Sequence, residues 1–180
     1  MTNSDSGGII LTSNNIGEKA KPYSIEKVPD KINKYLSELK NYGDELEVDT
    51  APTFTEIALL SRQAGTEFAS ITVNRKHYII KGDERGTMIS KSRLEDIKKH
   101  KGILNCHSHP YISDLLPSES DMEVAEMLYW QKDFYIITPD YKKAIYTKEG
   151  RINIDTIKEV FSTDQINIFE ELFGGDFIDK

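Results

Sequence analysis

Apolar residues recur along this chain with two different periods, and the changes between them mark out its elements. After Pro29, Ile32, Leu36 and Leu39 fall at helical spacing with Tyr35 beside them, and Gly43 stands where a helix stop is expected. ELEV at residues 45–48 reads as a short strand. A second helix begins after Thr53, which forms a capping box with Glu56; Ile57, Leu60 and Ala64 are its buried stripe and Gly65 its stop. TEFASITV and HYIIKG alternate about a turn at Asn74 to Lys76, which predicts a hairpin over residues 67–81, and GDERG follows as a loop. Ser92 and Glu95 form another capping box, for a short helix ending near Lys101 and Gly102.

ILNCHSH then reads as a strand. Its period of two puts Ile103, Asn105, His107 and His109 on one face and turns Cys106 to the other, as a core thiol. SESDMEVAEMLYW is a helix with Ala125, Leu128 and Tyr129 on one side, and FYII and AIYT flank a PDYKK turn as a second hairpin. The expected organisation is a flexible N-terminal arm over residues 1–22, with one possible added strand at Ile9 to Leu11, then an N-terminal helical extension over 23–52. A core spans 53–150, and a C-terminal helical segment, 151–180, packs on it through Ile166, Phe169, Leu172 and Phe173. Strands alternating with helices, plus hairpins that supply antiparallel pairs, predict an α/β or α+β fold with a mixed β-sheet sandwiched by helices.

Composition narrows the function. The chain has 180 residues, 38% of them hydrophobic, enough for one sizeable core. Cys106 is the only cysteine, which excludes an internal disulfide framework and any multi-cysteine zinc site. A net charge of -7 argues against nucleic acid as a partner and fits a cationic peptide segment better. The absence of a long apolar run or a signal-peptide layout leads to the expectation of a soluble, cytoplasmic protein with no membrane partner.

The chemistry concentrates in HSHPYISDLLPSESD, residues 107–121. A strand ending in His-x-His, followed by an aspartate at a helix start, supplies two imidazoles and one carboxylate and leaves a fourth tetrahedral position open, the layout of a catalytic zinc. Other zinc templates fail: there is no His-Glu-x-x-His helix, no Pro-Cys-x-x-Cys signature and no Asp-His after the pair. Ser118 and Asp121 also read as an ordinary capping pair, and the two histidines as satisfied polar groups on a strand.

His107-Ser108-His109-Pro110, then Pro117-Ser118-Glu119-Ser120-Asp121, resembles the motif of the JAMM, or MPN-plus, zinc metalloproteases in their compact prokaryotic form. The resemblance covers about residues 54–147 and implies a JAB/MPN-like, cytidine-deaminase-like domain. Eleven residues separate His109 from Asp121, one more than the family pattern, a loop expansion before Pro117. Carried over, the family roles make His107, His109 and Asp121 the ligands of one Zn2+, Ser118 a hydrogen-bond donor near the reacting carbonyl, and an upstream glutamate the proton carrier. Glu67 opens the strand where the family places that group, whereas Glu56 already serves the Thr53 cap. Asn105, on the expected histidine face, would orient a ligand. The implied activity is hydrolysis of a peptide or isopeptide bond at an extended protein tail, such as that of a ubiquitin-like protein. The alternatives are a noncatalytic MPN-type scaffold and a RadC-like, DNA-associated protein.

Overall fold

The computed structural model describes residues 8–157. Its elements in chain order are β1 (Ile9–Thr12), α1 (Asp30–Glu38), β2 (Glu45–Val48), α2 (Phe54–Ala64), β3 (Phe68–Val73), β4 (Lys76–Lys81), β5 (Gly86–Ile89), α3 (Lys91–His100), β6 (Ile103–Ser108), α4 (Glu119–Met127), β7 (Phe134–Thr138), β8 (Lys142–Tyr146) and β9 (Ile152–Thr156). Seven strands form one sheet in the order β2-β4-β3-β6-β7-β8-β9, and β1 with β5 makes a separate two-stranded ladder. Every pair is antiparallel except β6 and β7, which run parallel and are joined across α4. The fold is therefore α+β with a mixed sheet, and its one parallel crossover begins at the end of β6.

Two apolar layers cover the two sheet faces. On one, Ile32 and Leu39 from the α1 region and Ile57 to Leu60 of α2 pack with Phe68, Ile79, Cys106 and Ile137. On the other, Leu94 and Ile97 of α3, Val124 and Ala125 of α4, and Ile9, Leu11 and Ile89 of the ladder pack with Ala69, Ile71, Phe134, Ile136 and Tyr146. Burial of a large aliphatic side chain is worth about 1.5–3 kcal/mol, so each helix is held by its stripe rather than by its own propensity.

Local chemistry explains where elements start and stop. The Thr53–Glu56 box forms in both directions, and Gly65 closes α2 with φ 67°, a left-handed conformation that glycine adopts without strain. In the β3–β4 turn both central residues, Asn74 and Arg75, have positive φ, the pairing that a two-residue hairpin requires. The cap of α3 is Ser90 rather than Ser92: the Ser90 hydroxyl accepts from the Arg93 N–H, and Ser92 lies inside the helix. Two serines two residues apart offer the same cap, and the strand β5 that ends at Ile89 decides between them.

Three segments differ from expectation. The added strand expected at Ile9 to Leu11 forms, as Ile9–Thr12 paired with Gly86–Ile89 and with Leu11 fully buried, but the rest of the described arm is not loose: residues 13–20 follow as a strap held by side-chain bonds. The GDERG loop gives way at Gly86 to β5, whose partner lies more than seventy residues earlier in the chain. At the other end, Ile152–Thr156 is an edge strand rather than helix; the helices expected around Ile166 and Phe169 lie outside the described residues. No described helix is long and apolar enough to cross a membrane.

Candidate metal centre

β6 delivers the two histidines. Its ladder with β3 runs Ala69 opposite His107 and Ser70 opposite Cys106, then jumps to Ile71 opposite Leu104, so Asn105 is the extra residue of a β-bulge. The bulge reverses the alternation on its far side. Leu104 joins the layer that contains Ala69 and Ile71, and Asn105 turns away from His107 to donate to the hydroxyls of Ser70 (3.1 Å) and Thr72 (2.8 Å). Asn105 therefore does not take the ligand-orienting role expected of it.

His107 Nε2, His109 Nε2 and Asp121 Oδ2 form a triangle with all three edges 3.2 Å. Each side chain is wholly buried. Four ligands at about 2.05 Å around a tetrahedral ion are separated by about 3.3 Å, so the three donors already stand at the spacing one ion imposes. His109 Nδ1 donates to the Asp114 carbonyl at 2.7 Å, with an Asp114 carboxylate oxygen 3.4 Å away. A carbonyl can only accept, so the proton sits on Nδ1, and Nε2 is the lone-pair nitrogen of the neutral ring.

Asp121 serves two structures at once. It is N3 of α4 and completes a capping box with Ser118: the Ser118 N–H donates to Oδ2 at 3.0 Å, and the Asp121 N–H donates to the Ser118 hydroxyl at 3.1 Å. The capping reading and the ligand reading of Ser-x-x-Asp therefore describe the same geometry. The Thr12 N–H donates to the remaining oxygen, Oδ1, at 3.0 Å, and the Thr12 hydroxyl donates to Ser118 Oγ at 2.7 Å. Ser118 thus accepts two hydrogen bonds, and its own O–H is left to donate.

Glu67 precedes β3 and shares the face of Ala69 and Ile71. It is fully buried, and among the described residues the hydroxyl of the equally buried Thr87 is the one side-chain hydrogen-bonding group that bears on its carboxylate. Burial pushes its pKa well above the ordinary carboxylate value; the His109 charge opposes the rise and the Asp121 charge adds to it. Glu56 is committed elsewhere: one oxygen accepts from the Thr53 N–H and the other meets Lys31 at 3.0 Å.

The remaining electrostatics follow from enclosure. Burial by itself would lower the His109 pKa, but Asp114 and Asp121 outweigh it and push the imidazole up to about 10. Burial would raise Asp121, and His107 and His109 hold it well below the usual carboxylate range instead.

Four contributors were not foreseen: Thr12, Asn14, Asp114 and Tyr146. Asn14 donates from its backbone and side chain to the two Asp114 oxygens, at 3.0 and 2.7 Å. The Tyr146 ring stands edge-on to His107 with centroids 6.5 Å apart, and its hydroxyl is buried without a partner, as is His107 Nδ1. The signal for Tyr146 was its period-two relation to Ala144, but only the β6-β7-β8 strand order brings that face to the histidines.

No protein-family model, curated protein or solved structure matches the chain. What is established at this centre is a closed set of two imidazoles and one carboxylate able to bind a metal ion.

Proposed function

We infer that the chain is a metal-dependent hydrolase, and more particularly a zinc peptidase or isopeptidase of the JAMM type that cuts at an extended protein tail, such as that of a ubiquitin-like protein. The observation that carries this reading is the 3.2 Å donor triangle beside the fully buried Glu67 carboxyl. Two imidazoles and a carboxylate at tetrahedral spacing suit zinc among the common divalent ions. Zinc held there supplies a Lewis acid that brings the pKa of water to about 7 and polarises a carbonyl oxygen.

The chain's own residues supply the rest. Glu67 in its ionised form would take a proton from the attacking water and return it to the leaving amine, and burial strengthens its hold on that proton between the two steps. Ser118 directs its uncommitted O–H at the carbonyl oxygen as negative charge develops. Asp114 fixes the His109 ring and its tautomer.

Mass spectrometry of lysate proteins treated with wild type and with Glu67→Gln tests the reading. New termini or released lysines in the wild-type sample alone are expected, blocked by a zinc chelator and by Asp121→Ala but not by serine- or cysteine-directed reagents. Identical products from zinc-loaded wild type and from Glu67→Gln would refute it, and a stable protein partner captured instead would favour a noncatalytic scaffold.

A further inference from the structure

Glu67, His107, His109 and Asp121 are all wholly buried, yet a hydrolase acting on another chain must admit that chain to them. The walls around them are of two kinds. β3 and β6 are interior strands of the large sheet, while α4 and the preceding loop carry Asp121, Ser118 and His109. That loop has its own tether, because the Ser113 N–H and hydroxyl donate to the Asp140 carboxylate at 3.2 and 3.0 Å. β1 differs on each count. It contributes none of the three metal donors and not the proton carrier, and among the described strands it pairs only with β5.

We propose that residues 9–15 are a displaceable strand that closes the centre in the resting protein, and that an extended segment of the substrate polypeptide takes its place along β5. The proposal rests on the hydrolase reading of the same site. The position is set by main-chain groups, namely the β1–β5 register, the Ser13 N–H on the Arg85 carbonyl and the N–H groups of Thr12 and Asn14 on Asp121 and Asp114, together with the buried Ile9 and Leu11 side chains. Any residue other than proline carries such a donor, so the groove selects for extended backbone and against proline at the positions of Thr12, Ser13 and Asn14. Gly86 permits the approach, since a Cβ there would lie 2.4 Å from the Leu11 carbonyl oxygen. The Thr12 hydroxyl meanwhile donates to Ser118 Oγ at 2.7 Å and so stands beside the O–H that the reaction assigns to the substrate carbonyl. While β1 is seated, its own backbone stands where the substrate must lie.

A reversible staple tests this in the full chain. Ile10 and Met88 oppose each other, and both are only partly buried. The Ser13-to-Arg85 bond makes that pair a hydrogen-bonded one, so Ile10 and Met88, three steps away, form a non-hydrogen-bonded pair with Cα atoms about 4.5 Å apart, within disulfide range. In the Ile10→Cys/Met88→Cys variant loaded with zinc, oxidation should slow stripping of the metal by EDTA about tenfold or more and abolish cleavage, with reduction restoring both. Asn14→Ala, which removes two side-chain bonds to the strap's anchor, should accelerate both EDTA stripping and amide exchange at Leu11. Equal stripping and equal cleavage in the oxidised and reduced forms would overturn the displaceable strand while leaving the hydrolase reading intact. Slower stripping on oxidation, with no cleavage in either form, would support the gate and remove the hydrolase reading. Faster exchange at Leu11 in Asn14→Ala without faster stripping would show that β1 opens without exposing the metal, and the proposal would fall.

Discussion

Glu67→Gln should make the metal-free protein more stable while destroying its activity, and the size of the gain should depend on pH in a defined way. The native carboxyl is fully buried and titrates well above its ordinary value of 4.5, the Thr87 hydroxyl offsetting only part of the cost of burial. An acid whose folded pKa is raised costs nothing below the unfolded value and costs progressively more as pH rises towards the folded one. The penalty grows at up to about 1.4 kcal/mol per pH unit. His109 does not contribute until higher pH, because its raised pKa of about 10 gives stability that is full below 6.5 and lost as pH rises through 10. Asp114 and Asp121, both lowered, contribute fully above their ordinary 3.8. Between pH 5 and 6.5 the wild-type slope thus belongs chiefly to Glu67, and wild type should lose up to about 2 kcal/mol that the glutamine form keeps. Glutamine is nearly isosteric with the protonated acid and keeps an oxygen for the Thr87 hydroxyl, so the packing terms cancel. Urea unfolding of both chelator-treated proteins across that range measures the difference. Parallel stability curves, or a Glu67→Gln protein that is less stable at pH 6.5, would refute the assignment of Glu67 as an enclosed, uncompensated carboxyl.

Zinc binding near pH 7.5 should release close to one proton per ion, because the metal-free His109 holds a proton up to about pH 10; calorimetry in buffers of differing ionisation enthalpy checks this, and a buffer-independent heat would contradict it. Affinity should accordingly fall as pH is lowered. Asp114→Asn keeps the backbone carbonyl that fixes the His109 tautomer but removes the charge beside Nδ1, and should weaken zinc binding by about 10-fold or more in a competition titration. Tyr146→Phe deletes a buried hydroxyl without a partner and should stabilise the chain by about 1 kcal/mol in thermal unfolding; a loss of similar size would mean the hydroxyl is paired.

The donor set was legible because it lies in one short stretch whose chemistry is local: a strand end, a loop and a capped helix start fix His107, His109, Ser118 and Asp121 relative to one another almost independently of the rest. Glu67 was legible for a related reason, since period-two alternation carries it onto the face of Ala69. The misreadings share a different cause. Asn105 obeys the alternation until a bulge intervenes, and a bulge is decided by the partner strand. β5 and the strap went unseen because four-residue strands carry little periodic signal, and each is stabilised by a partner far away in the chain. Tyr146 reads as one more buried aromatic until the strand order brings it beside His107.

The span of the strap contacts also orders events during synthesis. Thr12 leaves the ribosome long before its partner Asp121, which lies 109 residues later. At about 5–20 residues per second that interval is roughly 5–20 s. The contact that seats Thr12 over the centre therefore waits for Asp121, which is made long after β1 itself. The growing chain passes through a stage in which His107 and His109 have emerged and the bonds of Thr12 to Asp121 and Ser118 have not yet formed. That stage is a natural interval for loading the metal, and a chain that closes without an ion must reopen to acquire one.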